Sequence, residues 1–398
     1  MKQSDFLPSR DFALERLKEF SIGAGRFYAA HRNIVSRSNK TITVSKLSPY
    51  VRRRLITEHE IISCILAQHD LASTEKFIEE VLWRTYWKGW LEMRPTIWAR
   101  FLADRDHQRE IFKDLRSLSD AEHGNTGIEG FDDWVSELKA TGYLHNHVRM
   151  WFASIWIFTL RLPWSLGADF FLRNLIDADP ASNTLSWRWV AGLQTPGKTY
   201  LATKENIARY TQGLFAPEGL AKEAVPLRES QIEPPRALPV ATPYEAGQPA
   251  LLLVTDEDMH PESLFPKQSN FRAARIIIDP IVSFGEKARH FTHAAAMKTK
   301  DQLKTIVDGP IDLMDRYDAE ILASAAHAAG VKLIVTPYAP VGPVASQLSC
   351  LSLELKRRGI ALTQHRREWD SFFWPHATKG FFSFRPIISL GLEQMGLI

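Results

Sequence analysis

The segment from Thr141 to Trp189 carries the residues of this chain that are best suited to chemistry. It reads TGYLHNHVRMWFAS, then PWSLGADFF, then LIDADPASNTLSWRWVAG, which places Asn146, Arg149, Asp177, Asp179 and Asn183 among several tryptophans. A buried amide or carboxylate costs free energy unless another group hydrogen-bonds to it. This spacing favours a buried redox cofactor that supplies those bonds.

Tryptophan is frequent in the chain, with 12 among 398 residues. Trp164 and Trp187 flank the polar cluster and do not belong to a regular apolar stripe. A single tryptophan is most often a bulky core residue. A set of tryptophans around polar side chains needs another explanation.

The elements that must position these residues divide the chain into two parts. Before residue 216, apolar residues recur with helical spacing, as in FIEEVLWRTYWKGWL and HNHVRMWFASIWIFTL. Residues 216–248 are rich in proline and polar residues, which predicts a linker. After them, the short apolar runs LLLVT, RIIID, VKLIVTP and GIALTQ alternate with helical stretches, which predicts βα units. We therefore predict a two-domain α/β protein: an all-helical domain over 1–215, followed by an α/β domain with a parallel sheet over 249–398.

Composition narrows the class of protein. A content of 45% hydrophobic and 24% charged residues is ordinary for a soluble globular protein. Cys64 and Cys350 lie far apart and outside any CxxC pattern, so we predict no disulfide framework and no metal site. The charged N-terminus lacks an apolar signal region, and no apolar run approaches the ~20 residues of a membrane span. We expect a cytoplasmic protein without a membrane partner.

The net charge of +3 does not indicate a nucleic-acid partner by itself, although residues 1–60 carry 12 Lys and Arg against 6 Asp and Glu. Arg52, Arg53 and Arg54 are adjacent in this basic part. Such a run either contacts phosphates or, more often, forms a solvated helix face. The α/β part lacks both GxGxxG and GxxxxGK[ST], so a standard nucleotide phosphate site is not indicated there.

Ordered motifs between residues 20 and 215 resemble the helical flavin-binding domain of DNA photolyases and cryptochromes. They are the TyrXXXArg pair Tyr28 and Arg32, SKLSPY from Ser45, EEVLWR from Glu79, TGIEGFDDWVSELKATGYLHNHVRM from Thr126, and DADPASNTLSWRW from Asp177. Five blocks in the family's order are far more specific than one short motif. The resemblance implies FAD as the cofactor and DNA that contains pyrimidine dimers as the partner.

The resemblance implies that Tyr28 and the SKLS segment hold the FAD pyrophosphate near a helix start, where the dipole favours negative charge. An ordinary N-cap is the alternative for SKLS. Arg149 and Asp177 resemble the family's ion pair over the isoalloxazine, and Asn183 falls where the family's residue faces flavin N5. Photolyases carry Asn there, plant cryptochromes Asp and animal cryptochromes Cys. The implied cofactor-binding residues are Tyr28, Ser45, Lys46, Leu47, Ser48, Arg84, Asn146, Arg149, Asp177, Asp179 and Asn183.

The resemblance also implies a pocket for the DNA lesion. Its implied residues are Glu80, Trp83, Asn146, Met150 and Trp189, with Arg32 and His147 at the DNA backbone, His147 being expected at the surface. The positions of Asn146 and Met150 carry histidines in (6-4) photolyases, so a cyclobutane pyrimidine dimer is the expected substrate. The activity implied is that of a blue-light-driven deoxyribodipyrimidine photo-lyase, a carbon–carbon lyase. A cryptochrome-like photoreceptor without repair and a non-catalytic relic are the alternatives.

The resemblance assigns catalytic roles to Glu80, Asn183, Trp187 and Trp164. Trp187 and Trp164 have the spacing of the family's electron-transfer chain, but the distal tryptophan has no clear counterpart. The candidates for this distal residue are Trp98, Trp134 and a tyrosine.

The domain order also departs from that of the family, in which an α/β antenna domain comes first. Here the α/β segment follows the helical part, so we expect a rearranged, circularly permuted order, with an unrelated fused domain as the alternative. The antenna chromophore stays unassigned. We expect a monomer that associates with the bacterial nucleoid through DNA.

Overall fold

The helices of the first part appear in the computed structural model, which describes residues 5–35 and 42–398. These helices are α1 (Arg10–Ser21), α2 (Arg26–His31), α3 (Ser48–Arg52), α4 (Glu58–Leu66), α5 (Leu71–Glu92), α6 (Thr96–Phe112), α7 (Arg116–His123), α8 (Phe131–Thr141), α9 (Asn146–Ser154), α10 (Trp164–Asn174), α11 (Pro180–Val190) and α12 (Lys204–Tyr210). A π-helical turn, Ile155–Thr159, directly continues α9.

Side-chain caps fix where the helices important for the site begin. Asp70 accepts a hydrogen bond from the backbone N–H of Ser73 at the start of α5. Asp179 does the same for Ser182 at the start of α11, where proline occupies the first turn. A cap satisfies one of the free N–H groups of a helix end and stabilises it by about 1 kcal/mol. The chain therefore enters both helices at a defined residue.

The second part contains a parallel sheet and further helices. The strands are β1 (Pro249–Val254), β2 (Asn270–Ile277), β3 (Ile311–Met314), β4 (Leu333–Pro337) and β5 (Ala361–His365), and the helices are α13 (Glu286–Gln302), α14 (Ala319–Ala328), α15 (Pro343–Arg357), α16 (Glu368–Phe373), α17 (Phe381–Phe384) and α18 (Ile387–Gln394). The strand order is β3-β2-β1-β4-β5. This arrangement confirms the fold class predicted from the alternating pattern, because parallel strands need helical crossovers.

Both faces of the sheet are buried, as all-parallel sheets require. Leu252 and Val254 of β1 share a core with Leu17 and Tyr50 from the N-terminal helices. The other face of β1, including Leu251, packs with residues of α14 and α15. The helical part thus forms one covering layer of the sheet.

The last three helices pack on the helical part and not on the sheet. Phe373 and Phe384 belong to the same hydrophobic core as Trp87 and Trp90 of α5. Gly89 of α5 permits this contact, because a Cβ at that position would lie 2.7 Å from the Cα of Trp374. The C-terminal helices therefore close over α5.

Residues 216–248, all of which the structure describes, form neither helix nor strand. Leu220, Ile232 and Leu238 nevertheless pack against the helical core. The segment therefore follows the protein surface over part of its length.

The arginine run does not form a solvated face, so that expectation is wrong. Arg52, Arg53 and Arg54 are each at most 3% exposed. Arg52 lies 2.8 Å from Glu257, and Arg54 lies 2.7 Å from Asp370. The run joins the N-terminal helices to residues that follow β1 and β5. Separately, none of the described helices is long and apolar enough to cross a membrane.

Candidate functional site

Most of the predicted site residues meet where α2, α5, α9 and the start of α11 approach one another. α5 contacts α2 and α11, and α11 contacts α9. α5 contributes Glu80, Trp83 and Arg84, while α9 contributes Asn146 and Arg149. We call this region the central recess.

The Arg149–Asp177 ion pair lies in the central recess. Nη1 of Arg149 is 3.1 Å from Oδ2 of Asp177, and its Nε donates to the Leu144 carbonyl at 3.0 Å. The Asp177 side chain is 5% exposed and that of Arg149 is 23% exposed. Burial alone would raise the pKa of Asp177, but Arg149 and Arg84 together lower it. The aspartate therefore stays ionised and holds a cation that remains partly accessible.

Asp179 is fixed by two interactions at the start of α11. Its Oδ1 accepts from Ser182 N at 2.8 Å, and its Oδ2 accepts from Arg84 at 2.5 Å. Burial would raise the pKa of this carboxyl, but the nearby cations Arg84, Lys88 and Arg52 lower it well below its usual range. The carboxylate is held rigidly at the edge of the recess.

Glu80 pairs with Arg32 across the other side of the recess, with an Nη1–Oε1 distance of 2.7 Å. Burial raises the pKa of Glu80 in spite of the opposing charge of Arg32, although the side chain is still 32% exposed. The Glu80 carboxyl is therefore desolvated but keeps accessible surface. Burial and the charge of Glu80 also raise the pKa of the adjacent Tyr28.

The predicted lesion residues occupy different environments. Trp83 is half-buried, and its ring stacks on Phe381 of α17. Trp189 is half-buried and stacks on Tyr200 with a centroid distance of 5.8 Å. Met150 is half-buried and Asn146 is exposed. These side chains keep accessible surface, as a binding pocket requires.

Asn183 is 9% exposed, and its Nδ2 donates to the Ala168 carbonyl at 2.9 Å. This bond orients the amide on α11. One turn later on the same helix, Trp187 is 2% exposed and its Nε1 has no hydrogen-bond partner among the described residues. Its ring lies edge-on to Trp156, with centroids 6.2 Å apart.

Trp164 is half-buried at the start of α10 and packs against Phe101 at 5.7 Å. Trp98 contacts the same phenylalanine at 5.3 Å, whereas Trp134 stacks on Trp151 elsewhere in the core. Of the two tryptophans considered for a distal relay, Trp98 is the one that shares a neighbour, Phe101, with Trp164. It is only 6% exposed, so it offers little contact with solvent.

His147 does not lie at the surface, which corrects the expected position. It is 8% exposed and stacks on Trp151 with a centroid distance of 4.5 Å. Burial lowers its pKa. Apolar stacking at the start of α9 explains this position. Arg32, the other residue predicted at the DNA backbone, is engaged with Glu80.

The SKLS segment turns sharply before α3. Lys46 has a φ of 51°, in the left-handed region that non-glycine residues seldom adopt. Leu47 is buried and occupies the N-cap of α3, with no side-chain cap bond. The ordinary N-cap reading of the segment is therefore wrong. Ser45 and Ser48 are half-buried on either side of the turn.

Two further residues connect the parts of the site and were missed from the sequence. The Tyr143 ring lies 5.7 Å from the Lys46 ammonium and 5.6 Å from the Arg149 guanidinium. His145 caps α9 by accepting from the backbone N–H of His147, and its buried Nε2 has no partner among the described residues. Their position in TGYLHNHVRM, between two predicted site residues, was the available signal.

The residues of the central recess fit a large anionic cofactor with a polar ring. Arg149 presents an accessible cation that Asp177 holds in place. The buried hydroxyl of Ser182 lacks a partner among the described residues. Lys46 has a positive φ, and turns that contain a left-handed residue form the anion-binding concavities of many phosphate sites.

Part of the helical region matches known proteins. Residues 77–213 match the family model for the FAD binding domain of DNA photolyase. A deoxyribodipyrimidine photo-lyase of Alkalihalophilus pseudofirmus is 30% identical over 191 residues, which cover 48% of this chain and 39% of that protein. One from Streptomyces griseus is 32% identical over 152 residues, covering 38% of this chain and 32% of that protein. The chain thus matches less than half the length of these relatives.

Among solved structures, a class III photolyase from Agrobacterium tumefaciens is 25% identical, with a TM-score of 0.43 and coverage of 51% of this chain and 43% of that one. A cryptochrome of Synechocystis sp. PCC6803 is 24% identical, with a TM-score of 0.44 and coverage of 52% and 44%. The family match confirms the FAD prediction. The individual contact residues remain predictions.

Proposed function

We propose that this chain, whose residues 77–213 match the family model for the FAD binding domain of DNA photolyase, repairs cyclobutane pyrimidine dimers in DNA under blue light. The observation that carries the proposal is the position of Glu80. It is a desolvated carboxyl with accessible surface, one turn from Trp83 and in the same recess as the Arg149–Asp177 pair. A carboxyl and an aromatic ring beside a flavin site suit a flipped pyrimidine dimer.

Binding begins with extrusion of the dimer from the duplex, which costs a few kcal/mol and less for a lesion that already distorts the helix. Trp83 and Trp189 offer apolar surfaces to the dimer, while Asn146 and Met150 form the wall of the lesion pocket that α9 contributes. When bound, reduced FAD supplies the excited electron that splits the cyclobutane ring and then returns.

The chain's own groups control charge around this step. Burial raises the pKa of Glu80, which favours a protonated carboxyl that donates a hydrogen bond to a carbonyl of the dimer. Arg32 opposes this by favouring the ionised form. Arg149, fixed by Asp177, would stabilise negative charge on a bound flavin ring, and Asn183, oriented by the Ala168 carbonyl, would place an amide beside that ring.

We also propose that residues 249–398 represent the family's antenna domain in permuted order, after a helical domain over 1–215 and a linker over 216–248. The five-stranded parallel sheet docked on the helical part supports this reading.

A cryptochrome-like photoreceptor is the second candidate function. The observation in its favour is that α17 lies against Trp83, so that a protein segment occupies one side of an aromatic ring assigned to the lesion. Arg385, just beyond α17, also pairs with Glu75 and Glu79 at this edge. This edge thus presents carboxylates as well as cations.

The decisive experiment follows an oligonucleotide with one thymine dimer, using FAD-loaded, reduced protein under blue light and in the dark. We expect light-dependent loss of the dimer. Glu80→Ala should keep the flavin absorption and lower repair by about 10- to 100-fold, the scale of a positioned acid. Glu80→Gln, which retains an N–H donor, should repair better than Glu80→Ala.

Glu110→Ala serves as the matched control, because the Glu110 side chain is 76% exposed on α6. Its repair yield should equal that of the unmodified protein. Bound flavin with no loss of the dimer would favour the photoreceptor function. Equal repair by Glu80→Ala and the control would contradict the role of Glu80.

A further inference from the structure

A cavity of about 1040 Å³ lies between α6, the π-helical turn, residues 161–164 and residues 221–230. Of the described residues that line it, only Trp164 belongs to the predicted site. Its volume is at the upper end of the range for small-molecule pockets. We call it the α6 cavity.

Aromatic rings form much of the wall of the α6 cavity. Phe101 and Phe112 of α6, Phe158 of the π-helical turn and Trp164 all line it. Phe158 and Trp164 are only half-buried, so their rings have accessible surface. Flat apolar walls of this kind favour a planar conjugated molecule.

The charges around the cavity favour an anion. Five cationic and three acidic side chains line it. Arg188 is 1% exposed and pairs with Glu229, yet its Nε has no partner among the described residues. The exposed Arg161 side chain makes no hydrogen bond or ion pair within residues 5–35 and 42–398. A buried donor without a partner carries a free-energy penalty that a ligand can remove.

Backbone irregularities coincide with the same wall. The five-residue π-helical turn Ile155–Thr159 carries Phe158, and π-helical turns are frequent at functional sites. Arg161 has a φ of 55°, a conformation that costs about 1–2 kcal/mol for a residue with a Cβ. Thr159 holds the linker over the cavity by accepting from Ala221 N at 3.0 Å.

We propose that the α6 cavity binds a planar aromatic anion, and that this molecule in its reduced form donates electrons to Trp164. The binding site stands on the cavity alone, whereas the donor role rests on the proposed function. Among the described tryptophans considered as a third relay, Trp98 is nearly inaccessible to solvent. A bound donor in contact with Trp164 takes the place of that relay.

The electron balance of this step is simple. In the FAD-loaded protein, light-driven oxidation of Trp187 would be followed by electron transfer from Trp164, which would leave a Trp164 radical cation. A bound phenolic or dihydro-heteroaromatic anion gives one electron to that cation and releases one proton to water. Trp164 returns to its neutral form, and the ligand leaves as its one-electron-oxidised radical.

The binding test uses FAD-loaded protein and anilinonaphthalene sulfonate, an aromatic anion with a planar naphthalene ring whose fluorescence rises on binding. The uncharged analogue N-phenylnaphthylamine is the comparison. We expect saturable binding of the sulfonate at least about tenfold tighter than that of the analogue, the effect of one charge-assisted hydrogen bond. Equal affinities for the two probes would overturn the proposal, as would the absence of saturable binding.

Two variants place the probe in the cavity. Phe158→Ala removes a wall ring and Arg161→Glu reverses the free cation, and each should weaken sulfonate binding at least about tenfold. Arg316→Glu makes the same charge change outside the cavity, on a side chain that is 63% exposed, and should leave binding unchanged. Unchanged affinity in Arg161→Glu would overturn the proposal even if Phe158→Ala failed to fold.

To test the donor role, the rate of flavin photoreduction is measured with two electron donors: dihydroxybenzene sulfonate, which is an anion, and hydroquinone, which is uncharged. The sulfonate should accelerate photoreduction with saturation, and Arg161→Glu should abolish that saturation. If both compounds accelerate photoreduction equally and without saturation, the donor role is overturned. The fluorescence result still decides whether the α6 cavity is a binding site. Neither outcome depends on dimer repair, so failure of repair remains a separate result.

Discussion

Phe381 lies parallel to Trp83, with ring centroids 3.8 Å apart and planes 11° apart. Phe381 belongs to α17, almost 300 residues after Trp83 on α5, and is itself 4% exposed. Offset stacking of this kind contributes about 0.5–1.5 kcal/mol beyond the burial of area. The C-terminal helices therefore fix the orientation of a ring that we assign to the lesion pocket.

Replacing Phe381 with Ala should destabilise the protein by about 3–5 kcal/mol, the usual loss for a buried phenylalanine. Phe381→Leu should lose less, because it retains most of the apolar volume. The measurement is the free energy of unfolding in urea. Phe382, the next residue, is 83% exposed, so Phe382→Ala should change stability by less than about 0.5 kcal/mol. Equal losses in the two alanine variants would contradict the packing described.

Arg54 should be sensitive to substitution, because its partner Asp370 is buried with it, both side chains being at most 3% exposed. Arg54→Met leaves that carboxylate unpaired and should lower the free energy of unfolding by about 3–5 kcal/mol. The double variant Arg54→Met with Asp370→Asn should regain part of the loss. Strictly additive losses would show that the two groups do not interact.

The arginine run also shows where sequence reasoning stops. Helical periodicity and alternating βα runs predicted the elements, since these patterns are local. Arg52 and Arg54 find Glu257 and Asp370 across more than 200 and 300 residues, respectively. No local pattern distinguishes such buried pairs from a solvated helix face. The packing of α17 on Trp83 could not be predicted from the sequence for the same reason.

The central recess was more predictable than the ion network. Arg149 and Asp177 were paired from the family resemblance, and the structure brings their charged atoms to 3.1 Å. His147 was misplaced because a histidine beside an exposed asparagine gives no sign of stacking on Trp151, which lies one turn later on α9. A resemblance transfers a position, but the side chain at that position follows its local packing.

Asp177→Asn should weaken FAD binding by about tenfold or more, because Arg149 loses the charge-assisted bond that orients it. Retention of flavin after dialysis and flavin fluorescence measure this loss. Asp169→Asn is the matched control: Asp169 is also buried and lies 2.8 Å from Arg109, outside the recess. It should lower stability but leave the affinity for FAD unchanged. Equal loss of FAD in both variants would contradict a specific role for Asp177.

His145 should make the protein acid-sensitive. Burial first, then the charges of His147 and Arg149, lower its pKa from 6.5 to about 4. Between these values the unfolded chain binds a proton that the folded chain excludes, so stability is complete above about pH 6.5 and falls as the pH drops towards 4. A shift of this size corresponds to about 3 kcal/mol.

His145→Asn removes this titration and keeps an oxygen acceptor for the N-cap of α9. Urea unfolding at pH values from 4 to 7 should show a shallower decline in stability than for the unmodified protein. His327→Asn removes an exposed imidazole on α14 and should leave the slope unchanged. Parallel slopes in the His145 variant and the unmodified protein would show that another group controls acid stability, since the buried imidazole is the only titrating group that the substitution removes.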